Sequence, residues 1–185
     1  MNRGELEHII RAAGAIADVD ELIVIGSQAI LGQFPNAPQE LLSSREADIY
    51  PRYYPERSDL IESAIGYESQ FERTFGYYAD GVDETTAVLP SGWRDRLILV
   101  SNENTRLIKG WCLEVHDLAI SKYVAGREKD LDFCRVLARH DMVSREVLLQ
   151  RPAATSLDSK LRILVCARVE RDTGLPCPGV GGPVA

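Results

Sequence analysis

Leu22-Ile23-Val24-Ile25-Gly26-Ser27-Gln28-Ala29-Ile30 is the stretch on which the fold turns. Four leucine and β-branched residues in a row, preceded by the polar break Asp18 to Glu21 and cut off by Gly-Ser, read as a short buried strand. Gln28 to Phe34 then reads as the start of a helix. A strand, a tight turn and a helix leave free backbone N–H groups and a hydroxyl at the positive end of a helix dipole, where a phosphate is well placed. Gly26 has no side chain to keep a ligand off the backbone, and Ser27 can donate a hydrogen bond. The same pair is also a common turn and N-cap, so it needs company before it means chemistry.

Working outward, Leu6, Ile9, Ile10, Ala13, Ile16 and Ala17 recur at three- and four-residue spacings, which predicts an amphipathic helix over 5–17. Pro35 to Ser44 holds two prolines and an Asn and reads mostly as a loop, leading to a strand over Glu46 to Pro51. Ser58 is the expected N-cap of a helix through Ile65 that stops near Gly66. Phe71 to Tyr78 and Thr85 to Leu89, flanking a turn-like Asp80-Gly81, read as two strands, and Arg96 to Val100 as a third. Beyond Trp111-Cys112-Leu113, helical spacing dominates: His116 to Ala125, Lys129 to Arg139, Ser144 to Leu149 and Leu157 to Val169. The expected fold class is therefore α/β or α+β, a mixed sheet flanked by helices with an appended C-terminal helical bundle. The expected organisation is an α/β domain over 1–113, a helical region over 114–172 packed on it, and a Pro/Gly-rich tail over 173–185.

Composition narrows the function. The chain has 185 residues, 45% of them hydrophobic and 26% charged, which excludes disordered, collagen-like and membrane-embedded classes. Lys and Arg number 21 against 28 Asp and Glu, a formal charge of -7, which argues against a surface built to bind nucleic acid without regard to sequence. The N-terminal segment lacks the apolar stretch of a secretory signal, and no apolar run approaches the roughly 20 residues that span a bilayer. Cys112, Cys134, Cys166 and Cys177 form no CxxC pair, so neither a zinc site nor a disulfide framework is expected. A reducing cytoplasm is the simplest expected compartment. His8, His116 and His140 have no ligand partner at a metal-binding spacing, and no P-loop, Rossmann or GxSxG pattern occurs.

Two further segments bear chemistry. In Ser44-Arg45-Glu46-Ala47-Asp48-Ile49-Tyr50-Pro51, strand alternation puts Glu46, Asp48 and Tyr50 on one face. The two carboxylates, roughly 7 Å apart along the strand, can bend toward one or two Mg²⁺ ions, which prefer oxygen ligands. A solvated strand edge would look the same. In Lys122 to Asp132, Lys122 and Lys129 are seven apart, hence on one helix face if Gly126 leaves the helix unbroken. With Arg127 they offer a basic pocket in an acidic protein, and Asp130 can orient one of them; a helix face laced with salt bridges is the plainer alternative.

Together these features resemble the nucleotidyltransferase superfamily that includes DNA polymerase beta, minimal nucleotidyltransferases and the nucleotidyltransferase-like toxins of abortive-infection, type IV toxin-antitoxin systems. The resemblance spans roughly 20–150. VIGSQAI at 24–30 resembles the superfamily's Gly-Ser element, Glu46-Ala47-Asp48 its acidic pair, and Arg127-Glu128-Lys129-Asp130 the helical motif of the toxins. SREADIYP, GWRDRL and HDLAISKYVAGREKDLDF look closest to an uncharacterised bacterial branch.

The resemblance implies Mg²⁺-dependent transfer of a nucleoside monophosphate from an NTP to a hydroxyl, with Glu46, Asp48 and Lys122 as catalytic residues. It implies nucleotide contacts from Gly26, Ser27, Lys122, Arg127, Lys129 and Asp130. Metal ligands are expected at Glu46, Asp48 and a third acid among Asp80, Asp83 and Glu84, with Glu84 preferred because it leads into the 85–89 strand. The acceptor is open between RNA, a protein side chain and a small molecule, and an antitoxin is an implied partner. Two departures are visible. Aligning the pair on Asp48 puts Tyr50 in the place of the second acid, so the Glu46/Asp48 alignment is preferred. Ser27 and Asp48 are also 48 minus 27, or 21, positions apart, which makes the 35–44 loop an insertion. The alternative reading is a degenerate member of the fold that binds a nucleotide or a protein without catalysis.

Overall fold

The computed structural model describes residues 1–174, so residues 175–185 of the expected tail lie outside it. Helix α1 (Arg3–Ala17) begins in a capping box: the Asn2 side chain accepts from the Glu5 N–H at 3.0 Å, and the Asn2 N–H donates to Glu5 at 2.7 Å. Its stripe Leu6, Ile9, Ile10, Ala13 and Ala17 is buried, as the spacing predicts. Strand β1 (Glu21–Val24) follows, and Leu22, Ile23 and Val24 are fully buried because the sheet is covered on both faces. After Gly26 come a 3-10 turn at Ser27–Ala29 and the single-turn helix α2 (Ile30–Gln33).

Strand β2 (Glu46–Pro51) runs antiparallel to β1, then α3 (Ser58–Ile65) and α4 (Gln70–Phe75) lead to β3 (Tyr78–Gly81), which pairs parallel with β2. Strand β4 (Ile98–Val100) and strand β5 (Lys109–Cys112) are antiparallel to each other, and β5 lies parallel beside β1. The sheet order is β3-β2-β1-β5-β4. Helices α5 (Val115–Ala125), α6 (Glu128–Arg139), α7 (Arg145–Gln150) and α8 (Ser159–Thr173) follow. The mixed sheet flanked by helices and followed by a helical C-terminal region is the expected fold class. One hydrophobic core runs from α1 through the sheet to Val165 and Val169 of α8.

Several sequence expectations need correction. Phe71 to Tyr78 is not a strand: the Ser69 hydroxyl caps α4 by accepting from the Glu72 N–H at 3.1 Å, Gly76 closes it at φ +80°, and only Tyr78 enters a strand. Phe71 and Phe75 are aromatic because they pack with His8 and Tyr77, not because they lie in a sheet. Thr85 to Leu89 is not a strand either, since Asp83 accepts from both the N–H and the hydroxyl of Thr85 and folds Glu84–Thr86 into a 3-10 turn. Asp80-Gly81 is not a turn but the end of β3. Gly81 is there for space: a Cβ would stand 2.2 Å from the Ser58 carbonyl, where α3 crosses the strand. Strand β5 goes unseen because Lys-Gly-Trp-Cys shows no apolar run, and its Gly110 admits Ile10 of α1 where a Cβ would come within 2.4 Å. Ser58 is the first residue of α3 rather than its cap, its hydroxyl donating to the Pro55 carbonyl at 2.7 Å.

Candidate functional site

The antiparallel β1/β2 pair brings the end of β1 against the start of β2. The Ile25 N–H donates to the Asp48 carbonyl at 3.0 Å, one step beyond the strand, and this fixes Gly26 beside Asp48. Gly26 has φ -76° and needs no special backbone freedom. Its role is clearance, because a Cβ there would stand 1.4 Å from Asp48 Oδ2. The seven residues after it make only a 3-10 turn and one α-helical turn, so little dipole is gathered at Ser27. What the site presents there is the Ser27 hydroxyl.

Strand β3 supplies the third carboxylate. Asp80 is the cross-strand partner of Asp48, and Tyr78 that of Glu46, so these four side chains share one face. Tyr78 donates its hydroxyl to Glu46 Oε2 at 3.0 Å. Burial and the neighbouring Glu46 raise the Asp48 carboxyl above its ordinary range. Burial, followed by Glu46, Glu62 and Asp48, pushes Asp80 up to about 6. The carboxylates are adjacent without being gathered to one point: among the described residues no group of three His, Cys, Asp or Glu side chains closes to metal-holding distance. Hard oxygen donors under mutual repulsion nevertheless fit a divalent cation in kind.

Facing the acids is a chain of polar contacts from the helical region. Lys122 is nearly buried in α5 and donates to Ser27 Oγ at 2.9 Å and to Asp130 Oδ1 at 3.2 Å, with its ammonium 4.5 Å from the centre of the Phe133 ring. Arg127 donates to Asp130 Oδ2 at 2.6 Å. Burial alone would raise the Asp130 carboxyl, but Arg127 and Lys122 overcome it and hold the group below its usual range. Gly126, at φ +66°, ends α5, so Lys122 and Lys129 do not share one continuous helix face. They meet because the sharp turn folds the start of α6 back over α5.

Gly26, Ser27, Glu46, Asp48, Lys122, Arg127, Lys129 and Asp130, each singled out by the sequence, all line one cavity of about 460 Å³. Asp80 lines it as well, and Glu84 does not. Glu84 sits half-exposed on its 3-10 turn, paired with Arg94 at 2.5 Å. Tyr50 does not line the cavity: its hydroxyl is buried without a hydrogen-bond partner among the described residues, and burial, then Glu84, pushes it up to about 12. Asp80 and Tyr78 are the residues that sequence reasoning missed or ranked behind another. The available signal was the alternation Tyr-Ala-Asp, matching Glu-Ala-Asp on β2, hidden by reading Asp-Gly as a turn.

Helix α5 is held in place by a second acidic group. Asp117, fully buried, accepts from Arg96 at 2.8 and 3.1 Å and lies 3.3 Å from Arg151. This ties the loop before β4 and the segment after α7 to the helix that carries Lys122. No helix among the described residues is long and apolar enough to cross a membrane.

A family model described as "Nucleotidyltransferase of unknown function (DUF6036)" matches residues 4–161, and the chain belongs to that family. No curated protein and no solved structure matches it.

Proposed function

With membership of that nucleotidyltransferase family as the premise, we propose that the protein transfers a nucleoside monophosphate from an NTP to a hydroxyl acceptor in a Mg²⁺-dependent reaction. The observation that carries this reading is the register of Asp48 opposite Asp80 beside Gly26-Ser27, with Lys122 seated on Ser27. Glu46, Asp48 and Asp80 would hold the metal, and Asp80 takes the place given above to Glu84. A bound divalent cation would supply charge neutralisation for the phosphates and lower the barrier to attack on phosphorus. Ser27 offers a hydroxyl and Lys122 an ammonium to the phosphate chain, while Arg127 and Lys129 offset its remaining charge. Asp130 keeps Lys122 and Arg127 pointed at the cavity. Gly26 leaves the Asp48 carboxylate room to lie against the backbone at the mouth of β1.

The test is transfer of label from each α-³²P NTP with Mg²⁺, run beside Asp48→Ala. Label transferred by the parent and lost in the variant supports the proposal, and equal transfer by both contradicts it. Buried Tyr50, at the place of a second acid, favours a second reading: a fold that binds MgNTP without turning it over. That reading expects nucleotide binding with no labelled product under any condition. The likeness to abortive-infection toxins further suggests a bacterial toxin checked by an antitoxin, and growth arrest on expression, relieved by a neighbouring gene, tests it.

A further inference from the structure

A second cavity of about 390 Å³ opens between the connection that precedes β2 and the start of α6. Ser27, Glu46, Lys122, Lys129 and Asp130 line both cavities, so the two meet at the seat proposed above for the phosphates. The far wall of the second is the 35–44 stretch, the insertion noted in the sequence. That wall is anchored. Glu40 pairs with Arg139 at 3.0 Å and lies 3.3 Å from His140, both at the end of α6, and Gln28 donates to the Leu41 carbonyl at 3.4 Å.

Displacement at phosphorus runs in line, with the attacking oxygen and the leaving group on opposite sides. Two cavities meeting at one seat provide those two approaches. Asp48, Asp80 and Arg127 line only the first, which makes it the side for the triphosphate and its metal. The second adds two carboxylates of its own, Glu40 and Asp132, and no cation beyond those it shares. Their partners Arg139 and Arg135 do not line it. A phosphate chain or nucleic-acid strand laid there would meet like charge, whereas amino groups would find acceptors. Ser43 and Ser44 add hydroxyls, and Phe133 an apolar floor.

Resting on the transferase reading, we infer that this second cavity is the acceptor site, and that the acceptor is a small hydroxyl compound bearing amino groups. The acceptor's oxygen attacks the α-phosphorus and forms a new P–O bond. The bond to the bridging oxygen of the β-phosphate breaks, pyrophosphate leaves with its electron pair, and the hydroxyl proton passes to water.

The experiment offers α-³²P NTP and Mg²⁺ to three fractions of one bacterial extract: amine-bearing small molecules retained on a cation exchanger after ultrafiltration, RNA, and protein. The parent is compared with Ser43→Trp, which fills the cavity from an exposed position, and MgNTP binding is measured on both. The expected result is label on the amine fraction, reduced at least about tenfold in Ser43→Trp while nucleotide affinity stays within about twofold. Label on RNA or protein, or equal labelling by both proteins, overturns the inference. Nucleotide binding without label in any fraction overturns the acceptor site and leaves the nucleotide site standing. Absence of nucleotide binding in the parent removes the transferase reading, and the acceptor site with it.

Discussion

Two groups of buried and half-buried acids in this molecule have opposite surroundings. Asp117 and Asp130 are each held by two basic side chains, Asp117 by Arg96 and Arg151 and Asp130 by Lys122 and Arg127. Glu46, Asp48 and Asp80 face one another across β2 and β3, and among the described residues the only hydrogen bond a side chain gives any of them is the Tyr78 hydroxyl on Glu46. A paired acid ties elements together. A set of unpaired acids on one face costs stability and persists where something else, on the function proposed above a cation and a phosphate chain, is to complete the charge. On the function proposed above, the first group serves structure and the second chemistry.

The largest effect that would break this contrast lies in the unpaired group. Asp48→Ala should lower transfer by on the order of a thousandfold or more, since a metal-held phosphoryl transfer loses several kcal/mol of charge stabilisation without it. Its circular dichroism and melting temperature should show an intact fold. Gly26→Ala should be nearly as damaging to activity, because the new Cβ must displace the Asp48 carboxylate. For the paired group the expectation reverses. Asp117→Ala strands Arg96 and Arg151 and should destabilise the fold by about 3 kcal/mol, read from denaturant unfolding, because breaking a buried ion pair leaves uncompensated charge.

Asp80 sharpens the comparison through pH. Its folded carboxyl titrates near 6, above its ordinary value of 3.8. Below about pH 3 the group is protonated in both folded and unfolded chains and costs nothing. As pH rises toward 6 the unfolded chain gives up the proton first, so stability falls across that window. Asp80→Asn should therefore melt at nearly the parent temperature at about pH 3 and a few degrees above it past pH 6.5, the half-exposed setting keeping the gain modest. The same variant should lose transfer, and parent activity should climb as pH passes 6. The smallest effect is expected at Tyr78→Phe, which frees Glu46 and should raise the Mg²⁺ needed for half-maximal transfer about two- to threefold with little change in stability.

How far the sequence could be read depends on the kind of signal. Helix α1, β1, α5, α6 and α8 follow from periodicity, because each buries a regular stripe or run, and α7 follows from its Ser144 cap and the buried Leu148. The errors fall where tertiary packing or local capping overrides composition. Phe71 and Phe75 have β-like chemistry inside a capped helix, and Gly81 and Gly110 sit in strands because another element passes too close for a side chain. Of the residues that line the first cavity, Gly26, Ser27, Glu46, Asp48, Lys122, Arg127, Lys129 and Asp130 were legible because the motifs that carry them are compact. Asp80 was not. Which of Asp80, Asp83 and Glu84 faces the pair depends on the β2/β3 register, a long-range pairing that local pattern does not encode.

The most direct measurement of the central claim is the melting temperature of the parent and of the double variant Asp48→Asn/Asp80→Asn, each with and without Mg²⁺ and NTP at neutral pH. A ligand that binds only the folded state raises its melting point. The parent is expected to gain stability with Mg²⁺ and NTP, while the double variant starts higher and gains nothing. Equal gains in the two proteins, or a double variant that starts lower than the parent, would contradict it.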